Sequence, residues 1–124
     1  MEDLIRIGAA ANALGVSVDT LRRWERDGRV TFERRSNQRF VRAAELTRLL
    51  TERAGTTRTS ARNRLTGTVI SVKRDKVMAQ VEIACGSQRI VSLISRESAD
   101  QLGLKPGVSA TAVIKATTVI VERP

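Results

Sequence analysis

The apolar residues of this chain change their spacing halfway along, which limits the folds it can adopt. Residues 4–53 have the pattern of mostly helical structure, whereas from Leu65 onwards apolar and polar positions alternate as in strands. Residues 54–59 are small and polar without apolar periodicity, which is typical of a linker. The 124 residues therefore predict a two-domain α+β protein with domains at residues 1–53 and 60–124, joined by a linker at 54–59.

Two short helices joined by a tight turn are predicted near the N-terminus. The first runs from Gly8 to Leu14, and Ser17 is the candidate N-cap of the second, which runs from Val18 to Asp27. Leu21 and Trp24 lie three residues apart on the apolar face of this second helix, and arginines occupy much of the remaining surface. This arrangement is typical of a helix-turn-helix.

A basic hairpin and a further helix are predicted next. Val30 and Phe32 alternate before a polar tip at Ser36-Asn37, and Phe40 follows on the returning strand. Residues 29–42 contain five arginines and one glutamate, which favours contact with a DNA groove or phosphates over a merely solvated hairpin. The helix that follows has the apolar positions Ala44, Leu46, Leu49 and Leu50.

The first domain resembles the winged-helix DNA-binding domain of the MerR superfamily, especially its short excisionase-like members. The resemblance lies in Ile7-Gly8, Leu14-Gly15-Val16-Ser17, Thr20-Leu21-Arg22-Arg23-Trp24-Glu25, Gly28 and Arg39-Phe40. It implies that Thr20, Arg22 and Arg23 contact DNA from a recognition helix and that Arg39 holds the wing to the DNA backbone. The full set of predicted DNA-binding residues is Ser17, Thr20, Arg22, Arg23, Arg26, Arg35, Asn37 and Arg39.

This sequence departs from full-length MerR regulators after the third helix of its first domain. It has neither a long coiled-coil dimerisation helix nor a Cys-rich effector loop. Metal sensing of the MerR kind is therefore not implied.

The second domain is predicted to be an OB-like five-stranded β-barrel. Short strands are expected at residues 65–72, 77–83, 89–94, 109–114 and 119–122. A helix opened by Ser95 and spanning Arg96 to Leu102 precedes the last two strands, which is the element order of such a barrel. Cys85 lies among apolar residues and is interpreted as a buried small hydrophobic residue rather than a nucleophile.

The same domain resembles the Mop, or molybdenum-binding TOBE, family over residues 59–123. The resemblance lies in Ser60-Ala61-Arg62-Asn63-Arg64-Leu65-Thr66-Gly67, Ser95-Arg96-Glu97-Ser98, Leu102-Gly103-Leu104-Lys105-Pro106-Gly107 and Ile114-Lys115-Ala116-Thr117-Thr118-Val119. It implies that molybdate or tungstate binds at a subunit interface, held by Ser60, Arg62, Ser95, Ser98, Lys115, Ala116 and Thr117. Ser95 is often Thr in the family and Thr117 is often Ser, and both exchanges keep a hydroxyl donor.

These residue types suit a tetrahedral oxyanion. Molybdate at neutral pH is a dianion with acceptor oxygens and no proton to donate, so it requires hydroxyls, backbone N–H groups and a cation. Ser95 and Ser98 lie at a predicted helix start, where free amides and the helix dipole favour an anion. Taken alone, these two serines are better explained as an N-cap and a solvent-facing hydroxyl. Together with Lys115 and the run Ser60-Ala61-Arg62-Asn63, they favour an oxyanion site instead.

Composition narrows the class of protein. The net charge of +9 indicates a polyanionic partner, and residues 1–57 carry eleven basic and eight acidic residues while residues 58–124 carry eleven and five. Histidine is absent and no nucleophile has a paired base, so neither an enzyme nor direct metal coordination by side chains is expected. A single cysteine, no signal peptide and no membrane-spanning stretch predict a cytoplasmic protein.

Together the two domains predict a transcriptional regulator that binds double-stranded DNA and responds to molybdate or tungstate. A ligand site at a subunit interface requires a homo-oligomer, at least a dimer, and paired readers would face paired half-sites. Two alternatives remain open. One is an intracellular oxyanion-storage protein, and the other is an excisionase-like architectural factor whose barrel only assembles the oligomer.

Overall fold

The computed structural model describes residues 3–54 and 58–124, which form two compact units divided between residues 57 and 58. The mixed helix-and-strand organisation, with the helices concentrated in the first unit, agrees with the sequence prediction. The predicted linker falls partly on residues outside the described part, so its extent stays a prediction. None of the described helices is long and apolar enough to cross a membrane.

The described residues of the first unit form three helices and a small antiparallel sheet. The helices are α1 (Ile7–Leu14), α2 (Val18–Arg26) and α3 (Ala43–Ala54). The strands are β1 (Leu4–Arg6), β2 (Glu33–Arg35) and β3 (Gln38–Arg42), in the order β1-β3-β2.

The turn between α1 and α2 is specified by two residues. Gly15 has a φ of 69°, a left-handed conformation that ends α1 at little cost because glycine has no Cβ. Ser17 begins α2, and its Oγ accepts a hydrogen bond from the backbone N–H of Thr20 at 3.1 Å. Both predicted helix boundaries are confirmed.

The β2–β3 hairpin turns where the sequence predicts it. Ser36 and Asn37 have φ values of 52° and 63°, and two consecutive positive values are what a two-residue type I′ hairpin turn requires. Arg35 pairs with Gln38 across this turn, and the register continues to Glu33 opposite Phe40.

One apolar cluster holds the first unit together. Its buried members are Ala10, Ala11, Leu14, Leu21, Val30, Phe32, Val41, Leu46 and Leu49, and Trp24 packs against them partly buried. Ala44 and Leu50 were predicted to lie on the apolar face of α3, and this prediction is wrong because both residues are exposed. At about 100° per residue, Ala44 lies on the side of α3 opposite Leu46, and Leu50 lies at the margin of the buried face.

The second unit is built on a four-stranded antiparallel sheet with one helix. Its elements are β4 (Asn63–Arg74), β5 (Met78–Cys85), β6 (Gln88–Ser95), α4 (Arg96–Gln101) and β7 (Ser109–Ile114), and the strand order is β6-β5-β4-β7. The first half of β4 pairs with β7 and its second half with β5, and the two pairings meet at Thr68. The sheet therefore curls around β4, leaving β6 and β7 as its free edges.

The strand alternation predicted from the sequence is realised in β5. Ala79, Val81 and Ile83 are buried, and they pack with Val69 and Leu104 in the apolar cluster of this unit. Cys85 is buried in the same cluster, as predicted. Val77 was predicted to share this face but precedes the strand and is exposed.

The predicted fifth strand is not found. After β7 the chain makes a 3₁₀ turn at Ala116–Thr118, and residues 119–124 form no strand in the described structure. A strand forms only when a neighbouring strand satisfies its backbone N–H and C=O groups. Residues 119–122 pair with no strand of the same chain in the described structure. The strand predicted there from the local sequence pattern is therefore wrong.

Candidate nucleic-acid interface and candidate oxyanion site

A basic cleft of about 440 Å³ opens in the first unit between the start of α1, the middle of α2 and the β2–β3 hairpin. We call it the arginine cleft. Its lining residues are Arg6, Ile7, Gly8, Ala9, Arg22, Asn37, Gln38 and Arg39. Three arginines and two amide side chains thus surround one opening with hydrogen-bond donors, which is an arrangement suited to an anion.

Three of the predicted DNA-binding residues meet in this cleft. Arg22 comes from α2, whereas Asn37 and Arg39 come from the hairpin. Arg6 was missed by the sequence reasoning. It precedes α1 at the N-cap position without a capping hydrogen bond from its side chain, and β1–β3 pairing places it opposite Phe40. No local sequence signal shows that pairing, which explains the omission.

Two of the three arginines of the cleft lie close to carboxylates on α2. Arg39 Nε lies 3.4 Å from Glu25 Oε1 and makes no hydrogen bond, while Arg22 Nη1 lies 3.5 Å from Asp19 Oδ1. Ion pairs at or near the surface contribute little to the free energy of folding. These two pairs can therefore orient Arg39 and Arg22, and a phosphate can displace the carboxylates with little loss of stability.

The remaining predicted residues of α2 lie outside the cleft. The hydroxyls of Ser17 and Thr20 are 2.9 Å apart at the start of α2, where Ser17 acts as the N-cap. Arg23 and Arg26 are exposed in the last turn. Cations in a last turn are also favoured by the helix dipole, so their position is compatible with a purely structural role as well as with DNA contact.

Arg35, predicted to contact DNA from the hairpin, pairs with Glu33. Its Nη2 lies 3.4 Å from Glu33 Oε2, and Arg42 Nε donates to Glu33 Oε1 at 2.7 Å. The hydrogen bond from Arg42, aided by Arg35, holds the pKa of Glu33 below its usual value. Glu33 therefore stays ionised and competes with a phosphate for Arg35.

In the second unit, the start of β4 and the end of β7 bring one half of the predicted oxyanion site together. Asn63 pairs with Ile114, and Asn63 Nδ2 also donates to the Ile114 carbonyl at 3.1 Å. Arg62 immediately precedes Asn63, and Lys115 immediately follows Ile114. We call this end of the β4–β7 pair the Lys115 edge. Lys115 is exposed and has no carboxylate partner in the described part of the chain. A cation thus remains available there for an anion.

Arg62 is partly committed to its own segment. Its Nη1 donates to the Thr59 carbonyl at 2.7 Å and to the Ala61 carbonyl at 3.3 Å, which fixes the opening loop. Lys115 begins the 3₁₀ turn that contains Ala116 and Thr117, and Thr118 Oγ1 closes this turn by donating to the Lys115 carbonyl at 2.9 Å. Ser60 is exposed beside the opening loop.

Ser95 and Ser98 form the other half of the predicted site. Ser95 caps α4, its Oγ accepts from the Ser98 N–H at 3.0 Å, and it donates to Ser98 Oγ at 2.8 Å. The N-cap role expected as the simpler explanation is therefore present. One of the backbone amides at this helix start is already used by the cap.

The two halves of the predicted oxyanion site lie at opposite ends of β4. Ser95 pairs with Met78, beyond the end of β4 at Arg74, whereas Lys115 lies beyond its start at Asn63. β4 is 12 residues long, and no hydrogen bond or ion pair joins the two halves in the described residues. Strand order within one chain therefore separates residues that the sequence resemblance assigns to one site.

The described residues offer no alternative site for a metal. No group of three or more Cys, Asp or Glu side chains within them is arranged to hold a metal ion, and the sequence has no histidine. An anion held by donors is the ligand class that these side chains fit.

Comparison with known proteins agrees with the division of the chain. The profile of the TOBE domain matches residues 59–121, and the profile of the MerR family regulatory protein matches residues 6–40. Both resemblances inferred from sequence motifs are therefore confirmed, to the TOBE domain over half of the chain and to the MerR type over residues 6–40.

Individual relatives match the second unit. Molybdenum-pterin-binding protein 3 of Clostridium pasteurianum is 48% identical over 64 residues, covering 50% of this chain and 93% of that protein. A molybdate-binding protein from Sporomusa ovata is 33% identical, with a TM-score of 0.52, over 54% of this chain and all of the other. The cytoplasmic molybdate-binding protein ModG, with molybdate bound, is 49% identical, with a TM-score of 0.50, over 52% of this chain and 46% of the other. All three are described as molybdenum-pterin-binding or molybdate-binding proteins, and the likeness of the two solved structures extends to the curled sheet.

Proposed function

The chain belongs to the TOBE domain family, and from this premise and its MerR-type region we propose that it is a cytoplasmic DNA-binding regulator that responds to molybdate or tungstate. The observation that carries the proposal is the joining, in one chain, of a molybdate-binding type of domain to a unit that contains the arginine cleft. A domain that binds DNA and a domain that binds an oxyanion can each act without the other, whereas a ligand-responsive regulator needs both.

The oxyanion is proposed to bind at the Lys115 edge. Lys115 supplies the charge, and Ser60, Arg62 and the 3₁₀ turn with Ala116 and Thr117 supply donors. Relatives up to 49% identical bind molybdate, including one whose structure contains it. Because Ser95 and Ser98 lie at the other end of β4, they complete this site only from a second copy, which supports a site at a subunit interface and a homo-oligomer.

DNA is proposed to bind the first unit as it does a winged helix-turn-helix. α2 would enter the major groove with Arg22, Arg23 and Arg26, and the β2–β3 hairpin would act as the wing. The arginine cleft would hold a backbone phosphate between α1 and the wing, which sets the register of α2.

Titration calorimetry of the full chain with molybdate, tungstate and sulfate tests the ligand assignment. We expect saturable heat with molybdate or tungstate and none with sulfate at the same concentration. If neither molybdate nor tungstate gives heat, the protein is not an oxyanion sensor. High bound stoichiometry without a specific DNA site would instead support a storage protein.

Replacing Arg22 and Arg23 individually by alanine is expected to weaken DNA binding by about 5- to 150-fold each, because each loses a charged contact worth about 1–3 kcal/mol. Fluorescence anisotropy with a selected genomic fragment measures the change. Arg89→Ala is the matched control, since Arg89 lies in the second unit and its charge is paired with Glu82 at 2.7 Å. Unchanged affinity in both α2 variants would refute α2 as the recognition helix.

The Arg6→Ala variant tests the arginine cleft as a phosphate site. A residue that contacts phosphate should weaken binding to all sequences alike and reduce the slope of log K against log salt by about one. We therefore expect a shallower salt dependence with the sequence preference kept. A slope equal to that of the unmodified chain would remove Arg6 from the interface.

A further inference from the structure

Two paired strands of the second unit come from segments that carry basic but no acidic residues. Residues 58–74 contain five basic residues and residues 101–121 contain two, and neither segment contains an aspartate or a glutamate. β4 lies in the first segment and β7 in the second, and the two strands pair from Asn63 opposite Ile114 to Thr68 opposite Ser109. The β4–β7 half of the sheet is therefore basic along its whole length, beyond the Lys115 edge where the oxyanion is proposed to bind.

The outward side of this strand pair is lined mainly by hydroxyl groups. Leu65, Ala110 and Ala112 pack against the apolar cluster of the unit, so the positions between them face the other side of the sheet and are exposed. These exposed positions form three cross-strand pairs, which are Arg64 with Val113, Thr66 with Thr111, and Thr68 with Ser109. We call these six residues the hydroxyl face.

The hydroxyl face offers hydrogen-bond donors to a partner outside the chain. Thr66 Oγ1 and Thr111 Oγ1 lie 2.9 Å apart, and because only one of the two donates to the other, the accepting hydroxyl keeps its proton for an outside acceptor. The hydroxyls of Thr68 and Ser109 make no hydrogen bond within the described part of the chain, and Arg64 makes no ion pair there. The face thus presents donors and a cation, and none of its own side chains is an anion that would compete for them.

The chemistry of the hydroxyl face fits the backbone of double-stranded DNA. Phosphate oxygens accept hydrogen bonds from arginine, serine and threonine side chains. Residues 58–124 contain no aromatic side chain, whereas proteins that bind single-stranded nucleic acids stack the bases on aromatic rings. The face has no asparagine or glutamine, the side chains that read adenine, so contact with it is expected to be independent of sequence.

We infer that the hydroxyl face is a second DNA-contacting surface, which binds the phosphate backbone of a duplex without sequence preference. Arg64 supplies the charge, and the threonine and serine hydroxyls donate to phosphate oxygens. This inference rests on the DNA binding of the proposed function and places part of that binding in the second unit. A weak contact is sufficient there, because both units belong to one chain and DNA bound by one is held near the other.

Replacing Thr66 by glutamate is expected to weaken binding of the full chain to a duplex of random sequence by at least about tenfold, because the added carboxylate repels phosphates. Fluorescence anisotropy at low salt without oxyanion measures the change, and circular dichroism shows that the strands are kept. Gln88→Glu is the matched control, since it makes the same charge change at an exposed position on β6, which pairs with neither β4 nor β7. Equal affinities in the two variants would overturn the inference.

The contributions of charge and of hydroxyl groups are separable. Arg64→Gln is expected to reduce the slope of log K against log salt by about one, as for any cation that contacts phosphate. Replacing Thr66 and Thr111 together by valine keeps their β-branched shape and removes only the hydroxyls, so it should weaken binding by about threefold and leave the slope unchanged. An unchanged slope in Arg64→Gln would remove this face from the DNA interface.

A variant without the proposed recognition arginines separates this inference from the proposed function. With Arg22 and Arg23 both replaced by alanine, we expect residual binding to the random duplex, which adding Thr66→Glu removes. Residual binding that Thr66→Glu leaves unchanged would overturn the hydroxyl face and keep α2 as the reader. An unmodified chain that binds no DNA would overturn both.

Sedimentation distinguishes DNA from a second copy of this chain as the partner of the hydroxyl face. We expect Thr66→Glu to sediment as the unmodified chain does while its DNA affinity falls. If Thr66→Glu instead forms smaller assemblies than the unmodified chain, the hydroxyl face is a contact between copies and the inference is overturned.

Discussion

Replacing Lys115 by glutamate is expected to abolish molybdate binding, with the dissociation constant raised by at least about 100-fold. Lys115 is the exposed cation at the edge where β4 begins and β7 ends, and it has no carboxylate partner in the described residues. Reversing the charge of residue 115 removes an attraction to the molybdate dianion and adds a repulsion from it. At about 4 Å and an effective dielectric constant of about 20, each charge pair is worth about 4 kcal/mol, well above the 1.4 kcal/mol that changes affinity tenfold.

Lys105→Glu is the matched control for this change. It makes the same change in net charge, and Lys105 is exposed in the turn before the start of β7, at the opposite end of that strand from Lys115. Calorimetry should show molybdate binding retained in this variant and lost in Lys115→Glu. Equal affinities in the two variants would place the oxyanion away from the Lys115 edge.

Replacing Gly67 by alanine is expected to destabilise the second unit by at least about 3 kcal/mol. A Cβ at this position would lie 2.1 Å from the Ala84 carbonyl oxygen, 2.8 Å from its carbon and 2.9 Å from Cys85 Sγ. Two of these atoms belong to the backbone of β5, which is fixed by pairing on both sides. The clash is therefore relieved only by separating β4 from β5 where the sheet curls.

Denaturant unfolding followed by circular dichroism measures this effect. Gly86→Ala is the comparison, because Gly86 has a φ of 60° and nothing within 4 Å of an added Cβ. That variant carries only the conformational cost of about 1–2 kcal/mol. Equal losses in the two variants would mean that β4 and β5 do not approach closely at Gly67.

The parts of the fold predicted correctly from the sequence are those set by neighbouring residues. Gly15 and Ser17 fix the turn between α1 and α2, since one ends a helix and the other caps the next. Asn37 tolerates the positive φ of the hairpin tip. Alternation predicted the buried face of β5 because each of its sides meets a different environment.

The parts that sequence reasoning missed depend on distant pairing. Residues 119–122 have a strand pattern, but in the described structure they pair with neither free edge of the sheet. Arg6 joins the arginine cleft only because β1 pairs with β3. The separation of Ser95 from Lys115 follows from strand order, which no local pattern encodes.

The candidate site residues show the same division. The N-cap of α4 was predictable, because Ser95 acts on a backbone amide three residues away. Assigning Ser95 and Lys115 to one oxyanion came from family resemblance, and a second copy is needed to bring them together. The proposed oxyanion site therefore requires a homo-oligomer.

Coupling between oxyanion and DNA binding is the central claim, and one equilibrium measurement tests it directly. Genomic fragments retained by the full chain are sequenced, and the affinity for the best fragment is measured by anisotropy with and without saturating molybdate, at constant salt. We predict a change of at least about fivefold, in the range of ordinary allosteric coupling, that sulfate does not produce and that Lys115→Glu removes. DNA affinity that stays the same with molybdate, tungstate and no oxyanion would contradict the sensor and favour an architectural factor.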